Sequence, residues 1–415
     1  MKKQALTFIL ISSFLFSKEY NISDVINLYN QDNYEKEYII IEEMKLDNQL
    51  QNINTLEANG LEAIWKNSYS TLANKNQGDS NLRLNYNDFN IQTSYNSLSE
   101  DSTFSVGLEK DIKNLIYSEK KYKLQTYEEA KKITLINLED KTDNKIISLI
   151  GLYKNYQDIN VELSILERDK ERLNNEYSKI KIAYELGADT ELNLEYAKLR
   201  YDNNLEEIEL LKKDIELLTN QFEKSFKLDL NNATLLPFEK PDLNYQLNID
   251  YIGSHDLSIL ESEKRNALFN NEYEKHLDKL PNMKLGADYY VDSNDWQLNF
   301  TISKTFASYN SSKIQSEIDL KEFEIKEREL KESIKLQKLE IQTKYNSLVR
   351  NIQNLKREME VKKMEYLIEQ KRYEIGKIDY ISYIEASDNF KLAESNYLKK
   401  ENELSAFLLE LNYKK

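Results

Sequence analysis

Side chains that could attract cations recur at every third position near the C-terminus. Asp379, Ser382 and Glu385 follow an i, i+3 spacing, and Asp388 continues the series. On a helix this spacing puts the four side chains along one face and leaves the opposite face for packing. Two interpretations stay open. If copies of the chain surround an axis, Glu385 would form a ring of like charge that attracts cations; otherwise the stripe is a solvated helix face.

The common enzyme and metal-site patterns are missing from the sequence. It has no cysteine and two histidines, His255 and His276, which are far apart and have no third patterned ligand. This argues against disulfides, thiolate chemistry and Cys/His zinc sites. No Walker glycine loop or nucleophile elbow occurs. Carboxylate pairs such as Glu42 and Glu43 do not indicate catalysis in a chain with so many acidic residues. We expect no catalytic residue, no cofactor, no metal and no enzyme activity.

Composition favours long helices and disfavours nucleic acid as a partner. The 415 residues include 8 Gly and 3 Pro, so the chain can reverse direction at few places. The net charge of -15 opposes binding to polyanions, which select clustered Lys and Arg. We interpret the abundant charge as the solvated flanks of coiled coils.

A heptad seam occurs twice in the same phase, 189 residues apart. The first seam comprises Leu152, Tyr156, Ile159, Leu163, Leu166, Leu173, Tyr177, Ile180 and Tyr184, and the second begins at Ile341 and ends at Tyr373. Each seam is followed by a glycine, Gly187 or Gly376, and then by a returning heptad run. The pattern predicts a duplicated antiparallel coiled coil with two glycine turns.

Between the helices of each half, the period of apolar residues changes to two. In the second half the alternation predicts a β-hairpin at 283–306, whose apolar set is Leu285, Ala287, Tyr289, Val291, Trp296, Leu298, Phe300 and Ile302. A weaker alternation predicts a hairpin at 82–110 in the first half. We expect the second apolar set to face lipid. The alternative is a small sheet on a soluble helical bundle, which would need a helix to cover Trp296 and its neighbours.

Four such strands per chain cannot close a barrel, because outer-membrane barrels begin at about eight strands and lipid does not tolerate open edges. At least two chains would therefore have to share their strands. The helices are predicted at about 23–66, 113–185, 190–226, 255–279, 310–374 and 379–412, from the spacing of apolar residues and turn signals.

Residues 1–17 have the features of a signal peptide, with Lys2 and Lys3 before an apolar run that is too short to span a bilayer. The alternative is a buried N-terminal helix, which the non-amphipathic run does not favour. The remainder divides into a first structural repeat at 18–236, a linker at 237–254 that contains two prolines, and a second repeat at 255–415.

Three stretches resemble the TolC-like outer-membrane efflux protein family, and the resemblance covers essentially the whole mature chain. Residues 22–28 (ISDVINL) resemble the opening helix motif of the family, and residues 280–285 (LPNMKL) resemble its proline-led approach to the strands. The most specific stretch is 372–376 (RYEIG) followed by 380–386 (YISYIEA). The first glycine turn matches the family less closely.

The resemblance implies a mainly helical fold with a transmembrane β part, in which a homotrimer forms a shared twelve-stranded barrel and an α-helical tunnel. It implies outer-membrane lipid around the barrel, a periplasmic adaptor at the tip and an inner-membrane transporter as partners. The residues expected at the adaptor-docking tip are Gly187, Gly376, Leu186, Ile375 and Ile381. Those expected at the pore constriction are Glu385, Ser382 and Asp379. Of the two positions that are often acidic in the family, 382 and 385, only the second is acidic here.

The resulting functional prediction is a passive exit channel for small molecules or secreted protein, located in the outer membrane with a long periplasmic part. A periplasmic adaptor or a coiled-coil scaffold without a pore is the alternative. An adaptor should have one hairpin between glycine-rich β domains, whereas this sequence has two hairpins. A scaffold would not explain the alternating strands.

Overall fold

The computed structural model describes residues 18–55, 62–72, 75–86, 88–97, 99–112, 118–230, 233–304 and 311–415. The predicted signal peptide, 1–17, lies outside the described residues. The helices are α1 (Ile22–Gln31), α2 (Tyr34–Thr55), α3 (Glu119–Glu185), α4 (Glu191–Phe226), α5 (Ser254–Lys279), α6 (Ser311–Glu374) and α7 (Tyr380–Leu411). The strands are β1 (Lys18–Tyr20), β2 (Glu62–Leu72), β3 (Lys75–Tyr86), β4 (Phe89–Asn96), β5 (Asp101–Asp111), β6 (Ala233–Leu235), β7 (Asn282–Tyr290) and β8 (Asp295–Ser303).

Two compact units are built from alternating parts of the chain, so each contains residues from both repeats. The first, here called the coiled-coil unit, comprises the described residues up to Glu37 together with Asp140–Ile252 and Leu336–Lys415. The second, here called the sheet unit, comprises Tyr38–Glu139 and Gly253–Lys335. None of the described helices is long and apolar enough to cross a membrane.

The predicted coiled-coil seams are present in the coiled-coil unit. In the second copy, Ile341, Tyr345, Leu348 and Ile352 of α6 are buried, and they share a core with Tyr397, Leu404 and Phe407 of the returning helix α7. In the first copy, the seam residues Leu173 and Ile180 of α3 and Ala197, Ile208 and Leu218 of α4 are also buried. The period of the apolar residues therefore predicted these buried positions, although Tyr184 at the end of the first seam is exposed.

A separate part of the coiled-coil unit is centred on α1. Val25, Tyr29 and their neighbours pack on Leu149, Ile150 and Tyr153 of α3 and on Phe222 of α4. The side chain of Asn21 caps α1 by accepting a hydrogen bond from the Asp24 amide at 2.8 Å. Beside this core β1 and β6 form a two-stranded parallel pair.

The single helix predicted at 23–66 is wrong. The helix stops after Gln31 and restarts at Tyr34, and β2 begins at Glu62. The side chain of Asn33 explains the interruption. Its amide nitrogen Nδ2 donates to the backbone carbonyl of Tyr29 at 2.8 Å, and its oxygen Oδ1 accepts from the backbone amide of Lys36 at 2.8 Å. This side chain therefore ends one helix and starts the next, a role for which asparagine competes well with continued helix.

The sheet unit contains six antiparallel strands in the order β2-β3-β4-β5-β7-β8. The second predicted hairpin is confirmed as β7 and β8, which pair from Asn282↔Ser303 to Tyr290↔Asp295. The first predicted hairpin, 82–110, is wrong in extent, because the first repeat supplies four strands instead of two. The expectation of four strands per chain rested on that count, whereas the twelve strands of a trimer were implied by the family resemblance.

Candidate functional site

One face of the sheet is mainly apolar on each of the six strands, although Lys110 on β5 lies opposite Leu285 on this face. Trp296 and Leu298 on β8 are 72% and 78% exposed, so no described helix covers them. Of the set predicted to face lipid, Leu285, Val291, Phe300 and Ile302 are exposed as well, whereas Ala287 and Tyr289 are half-buried. The same face continues through Phe104, Val106 and Leu108 on β5, Phe89, Ile91 and Tyr95 on β4, Leu82, Leu84 and Tyr86 on β3, and Ala63, Trp65 and Tyr69 on β2.

The opposite face of the sheet is polar and carries its own network of contacts. Lys284 on β7 forms an ion pair with Glu109 on β5 at 2.7 Å. The Asn299 amide on β8 donates to the Asp288 carboxylate on β7 at 2.8 Å. One face thus suits a hydrocarbon environment and the other an aqueous one, which is the two-sided character of a membrane β-strand.

The absence of a side chain at Gly107 leaves room for the neighbouring side chains of this polar face. A Cβ at this position on β5 would be 2.0 Å from the nearer carboxylate oxygen of Asp288 and 2.8 Å from the side-chain oxygen of Asn90. The side chains of Asp288 on β7 and Asn90 on β4 cover Gly107 from the two flanking strands. Here glycine is needed for the close approach of side chains, and not for an unusual backbone conformation.

In the coiled-coil unit, the first glycine turn ends α3. Gly187 has φ of +73°, a left-handed conformation that costs glycine little. The amide of Ala188 donates to the carbonyl of Ala183 at 2.8 Å, and the amide of Gly187 donates to that of Tyr184 at 2.9 Å. This pair of bonds is the Schellman motif, which satisfies carbonyls that the helix end leaves without partners.

The second turn, after α6, reproduces the first. Gly376 has φ of +69°, and the equivalent bonds run from Lys377 to Arg372 at 2.8 Å and from Gly376 to Tyr373 at 2.9 Å. A Cβ added at either glycine would meet nothing within 4 Å. Both turns are therefore open to solvent, and the requirement for glycine at each comes from the backbone conformation.

The residues predicted at the docking tip divide into two groups. Leu186 is 78% exposed and Ile375 is also exposed, directly before each glycine. Ile381 instead is half-buried in the first turn of α7. Exposed aliphatic side chains beside an open backbone turn present a surface that another protein can contact.

The three residues predicted at the constriction are close together at the start of α7, and all three are exposed. Asp379 has a structural role there, because its carboxylate accepts the Ser382 amide at 2.9 Å and so caps the helix. Hydrogen bonds from Ser382 lower the pKa of Asp379. Glu385 lies one turn further along, where its carboxylate has no capping role.

A buried charged network next to these turns escaped the sequence analysis; it is here called the clamp. Arg172 on α3 contacts Asp169 at 2.6 Å and Glu176 at 2.7 Å within its own helix. It also donates to the Tyr383 hydroxyl on α7 at 3.1 Å, and Tyr383 donates to Glu176 at 2.8 Å. The clamp therefore joins the first hairpin to the second.

Two further ion pairs extend the clamp across the hairpins. Lys391 on α7 bridges Asp169 at 2.5 Å and Asp388 at 2.9 Å. Asp388 in turn pairs with Arg200 on α4. Asp388, the last member of the predicted stripe, thus makes a hairpin-to-hairpin contact. The signal for this network was the loss of the apolar heptad position at Lys170, between Asp169 and Arg172.

Burial and charge act against each other on the clamp carboxylates. Burial alone would raise the pKa of Asp169, but hydrogen bonds and charge from Arg172 and Lys391 outweigh it, and the pKa is lowered. The pKa of Asp388 is lowered for the same reason, by Arg200 and Lys391. Burial and the neighbouring Glu176 raise the pKa of Tyr383, although Arg172 opposes them. Asp169 and Asp388 are thus held ionised in the clamp, and the Tyr383 hydroxyl is held protonated.

Among the residues the structure describes, no group of three His, Cys, Asp or Glu could hold a metal ion. No protein-family model matches the chain, and no curated protein matches it.

Solved outer-membrane proteins have similar structures at low sequence identity. The outer membrane protein VceC from Vibrio cholerae is 11% identical with a TM-score of 0.65, over 94% of both chains. CusC, whose structures concern transmembrane channel formation, is 13% identical with a TM-score of 0.68, over 94% of this chain and 90% of CusC. The open MtrE outer membrane channel of Neisseria gonorrhoeae is 15% identical with a TM-score of 0.57, over 95% of this chain and 88% of MtrE.

Proposed function

The chain has the TolC-like fold of long helical hairpins and membrane-type β-strands, and from this premise we propose that it is a passive channel of an outer membrane. In this proposal copies of the chain, three in number, share their strands in lipid and their helices in a periplasmic tunnel. The channel provides an exit for small molecules or secreted protein and catalyses no reaction.

The observation that carries the proposal is the exposed apolar face of the sheet. A soluble sheet of this size would bury Trp296, Leu298 and Phe300 under a helix, because apolar patches of such extent are unusual on monomeric soluble proteins. In lipid the same residues need no cover. The polar opposite face, with its ion pair between Lys284 and Glu109, then lines a water-filled lumen.

We propose the two glycine turns as the docking tip for a periplasmic adaptor that is linked to an inner-membrane transporter. Leu186 and Ile375 are the apolar contacts, and the open space around Gly187 and Gly376 lets a partner backbone approach closely. Ile381 is half-buried, so it would pack beneath the exposed residues of this surface. Gly376→Val variants that form intact trimers and still crosslink fully to an adaptor would argue against docking here.

Glu385 is proposed as the charged ring of the constriction, with the exposed Ser382 one turn before it. The test is the ion selectivity of Glu385→Gln channels in planar bilayers, with Glu358→Gln on an exposed face of α6 as the matched loss of charge. We expect cation preference to fall in the first variant only. Unchanged selectivity in both would leave Glu385 as part of a solvated face.

The proposal as a whole is tested by cell fractionation, followed by the mass of the detergent-extracted particle after the detergent contribution is subtracted. We expect a particle of three chains in the outer-membrane fraction. A soluble monomer or dimer would overturn the channel and favour the alternative, an adaptor or scaffold without a pore. The exposed apolar sheet face argues against that alternative, because neither kind of protein needs one.

A further inference from the structure

We propose that the outer edge of β2 pairs with the outer edge of β8 of a second copy, so that each chain contributes six strands to the barrel. Three copies of six strands then close an eighteen-stranded barrel. This inference rests on the proposed function and goes beyond it, because it makes β2 and β3 part of the membrane wall and predicts a wider outlet.

The direction and length of the two edge strands favour this pairing. In the described sheet β2 and β8 each pair on one side only. Since strand directions alternate across six antiparallel strands, the first and last run in opposite directions and can continue the antiparallel pattern between copies. They are also of similar length, with 11 residues in β2 and 9 in β8. Unpaired strand edges are not tolerated in lipid, so both edges need a partner.

The apolar face extends to the far edge of the sheet. On β2, Trp65 and Tyr69 are 71% and 73% exposed, as fully as the aromatic residue Trp296 at the other edge. The alternate residues Ile64, Lys66 and Ser68 pair with Arg83, Asn81 and Asp79 on the polar face. If β2 lay outside the membrane, two large aromatic side chains would stay exposed to water at a free sheet edge.

The strands of the sheet are also staggered relative to one another. The ladder that starts at Glu62, the first residue of β2, passes through Asn85, Asn90, Gly107 and Asp288. It reaches β8 at Gln297, six residues before Ser303 at the end of that strand. A stagger that accumulates in one direction is the geometric condition for closing a tilted barrel. One residue of it accumulates from β2 to β3, and the rest accumulates between β4 and β7.

The consequence is the width of the outlet. With strands about 4.8 Å apart and tilted about 40°, eighteen strands give a backbone diameter of about 36 Å, against about 24 Å for twelve. The wall of the wider barrel carries the polar face described above. Such an outlet admits bulky polar cargo, including polypeptide, and leaves the size limit of the channel to the helical end.

The two tryptophans of the chain, Trp65 and Trp296, provide the test. Purified trimers of Trp296→Phe and Trp65→Phe, each with one remaining indole, are reconstituted in vesicles of phosphatidylcholine with or without acyl-chain bromines, which quench indoles on contact. We expect Trp65 to lose a fraction of its emission comparable with that of Trp296. Quenching of Trp296 alone would overturn the six-strand inference and leave the channel proposal standing, whereas quenching of neither would overturn both.

Edge pairing is tested separately in the cysteine-free background. Lys66→Cys on the polar face of β2 is combined in turn with Gln297→Cys, Asn299→Cys and Thr301→Cys on the polar face of β8. We expect at least one pair to give disulfide-linked trimers, and the Lys66→Cys, Phe300→Cys control to give none because its thiols are on opposite faces. Trimers without crosslinks in every pair would overturn the edge contact between copies.

Discussion

Replacement of Arg172 by methionine should loosen the two hairpins from each other near the glycine turns. Methionine keeps most of the length and apolar contact of the side chain but removes its charge and donors. Asp169 and Glu176 then lose a partner at 2.6 and 2.7 Å, and the Tyr383 hydroxyl loses its contact with the first hairpin's guanidinium. Both carboxylates are largely buried, so they cannot recover the interaction from water.

The expected free-energy cost of Arg172→Met depends on the contacts that Asp169 and Glu176 keep. Removing one member of a buried ion pair costs about 3–5 kcal/mol when the partner is left without compensation. Here Lys391 still pairs with Asp169 at 2.5 Å, and Tyr383 still donates to Glu176 at 2.8 Å. We therefore expect the lower end, about 3 kcal/mol. Since 1.4 kcal/mol corresponds to a factor of about ten, local opening should become roughly a hundredfold more frequent.

Amide hydrogen exchange is the suitable assay, because it reports local opening in the native protein. Peptides covering the start of α7 and the end of α3 should exchange faster in Arg172→Met, and those from α1 should be unchanged. The matched control is Lys170→Met. It also removes one positive charge, but from an exposed residue two positions before Arg172. Equal exchange in the two variants would refute the idea that the clamp fastens the hairpins together.

Three further predictions concern glycines and pH. Gly376→Ala should lower stability by about 1 kcal/mol, because L-residues are strained at positive φ, whereas Gly151→Ala within α3 should raise it by a similar amount; thermal unfolding of the two variants distinguishes them. Gly107→Ala should reduce the yield of folded membrane particles, since its Cβ would lie 2.0 Å from a carboxylate oxygen on β7, whereas Gly286→Ala should be tolerated because its nearest atom is 3.6 Å away. The stability contributed by Asp169, whose pKa is lowered on folding, should be complete above its ordinary pKa of 3.8 and be lost as pH falls further; Asp169→Asn should lack that loss in unfolding experiments at pH 3 to 7.

The helical part could be predicted closely from the sequence because its signals repeat over many turns. The bounds of α4, α5, α6 and α7 lie within one residue of those expected from the heptads and glycines. A heptad pattern that repeats over many turns still predicts the helix when one position, such as Lys170, is not apolar. The interruption at Asn33 was missed because it depends on one side chain that contacts Tyr29 and Lys36, which no periodic signal contains.

The first half of the sheet was harder for a physical reason. On β2 and β3 the apolar residues are diluted by Asn, Ser and Gln, so alternation extends over only two or three apolar positions. A strand that pairs with its neighbours through the backbone needs few apolar side chains of its own to stay in register. The clamp was missed because charged residues on a predicted helix are normally solvated, and only the meeting of three helices buries them.

The six strands divide unevenly between the repeats, four in the first and two in the second, and this bears on how such a wall can change in evolution. A hairpin added to an antiparallel sheet returns the chain to the side from which it left. The helices that follow can then begin where they began before. The width of the wall can thus vary in steps of two strands per chain while the helical hairpins and their glycine turns stay unaltered. In the proposed channel, outlet size and adaptor docking would therefore depend on separate parts of one polypeptide.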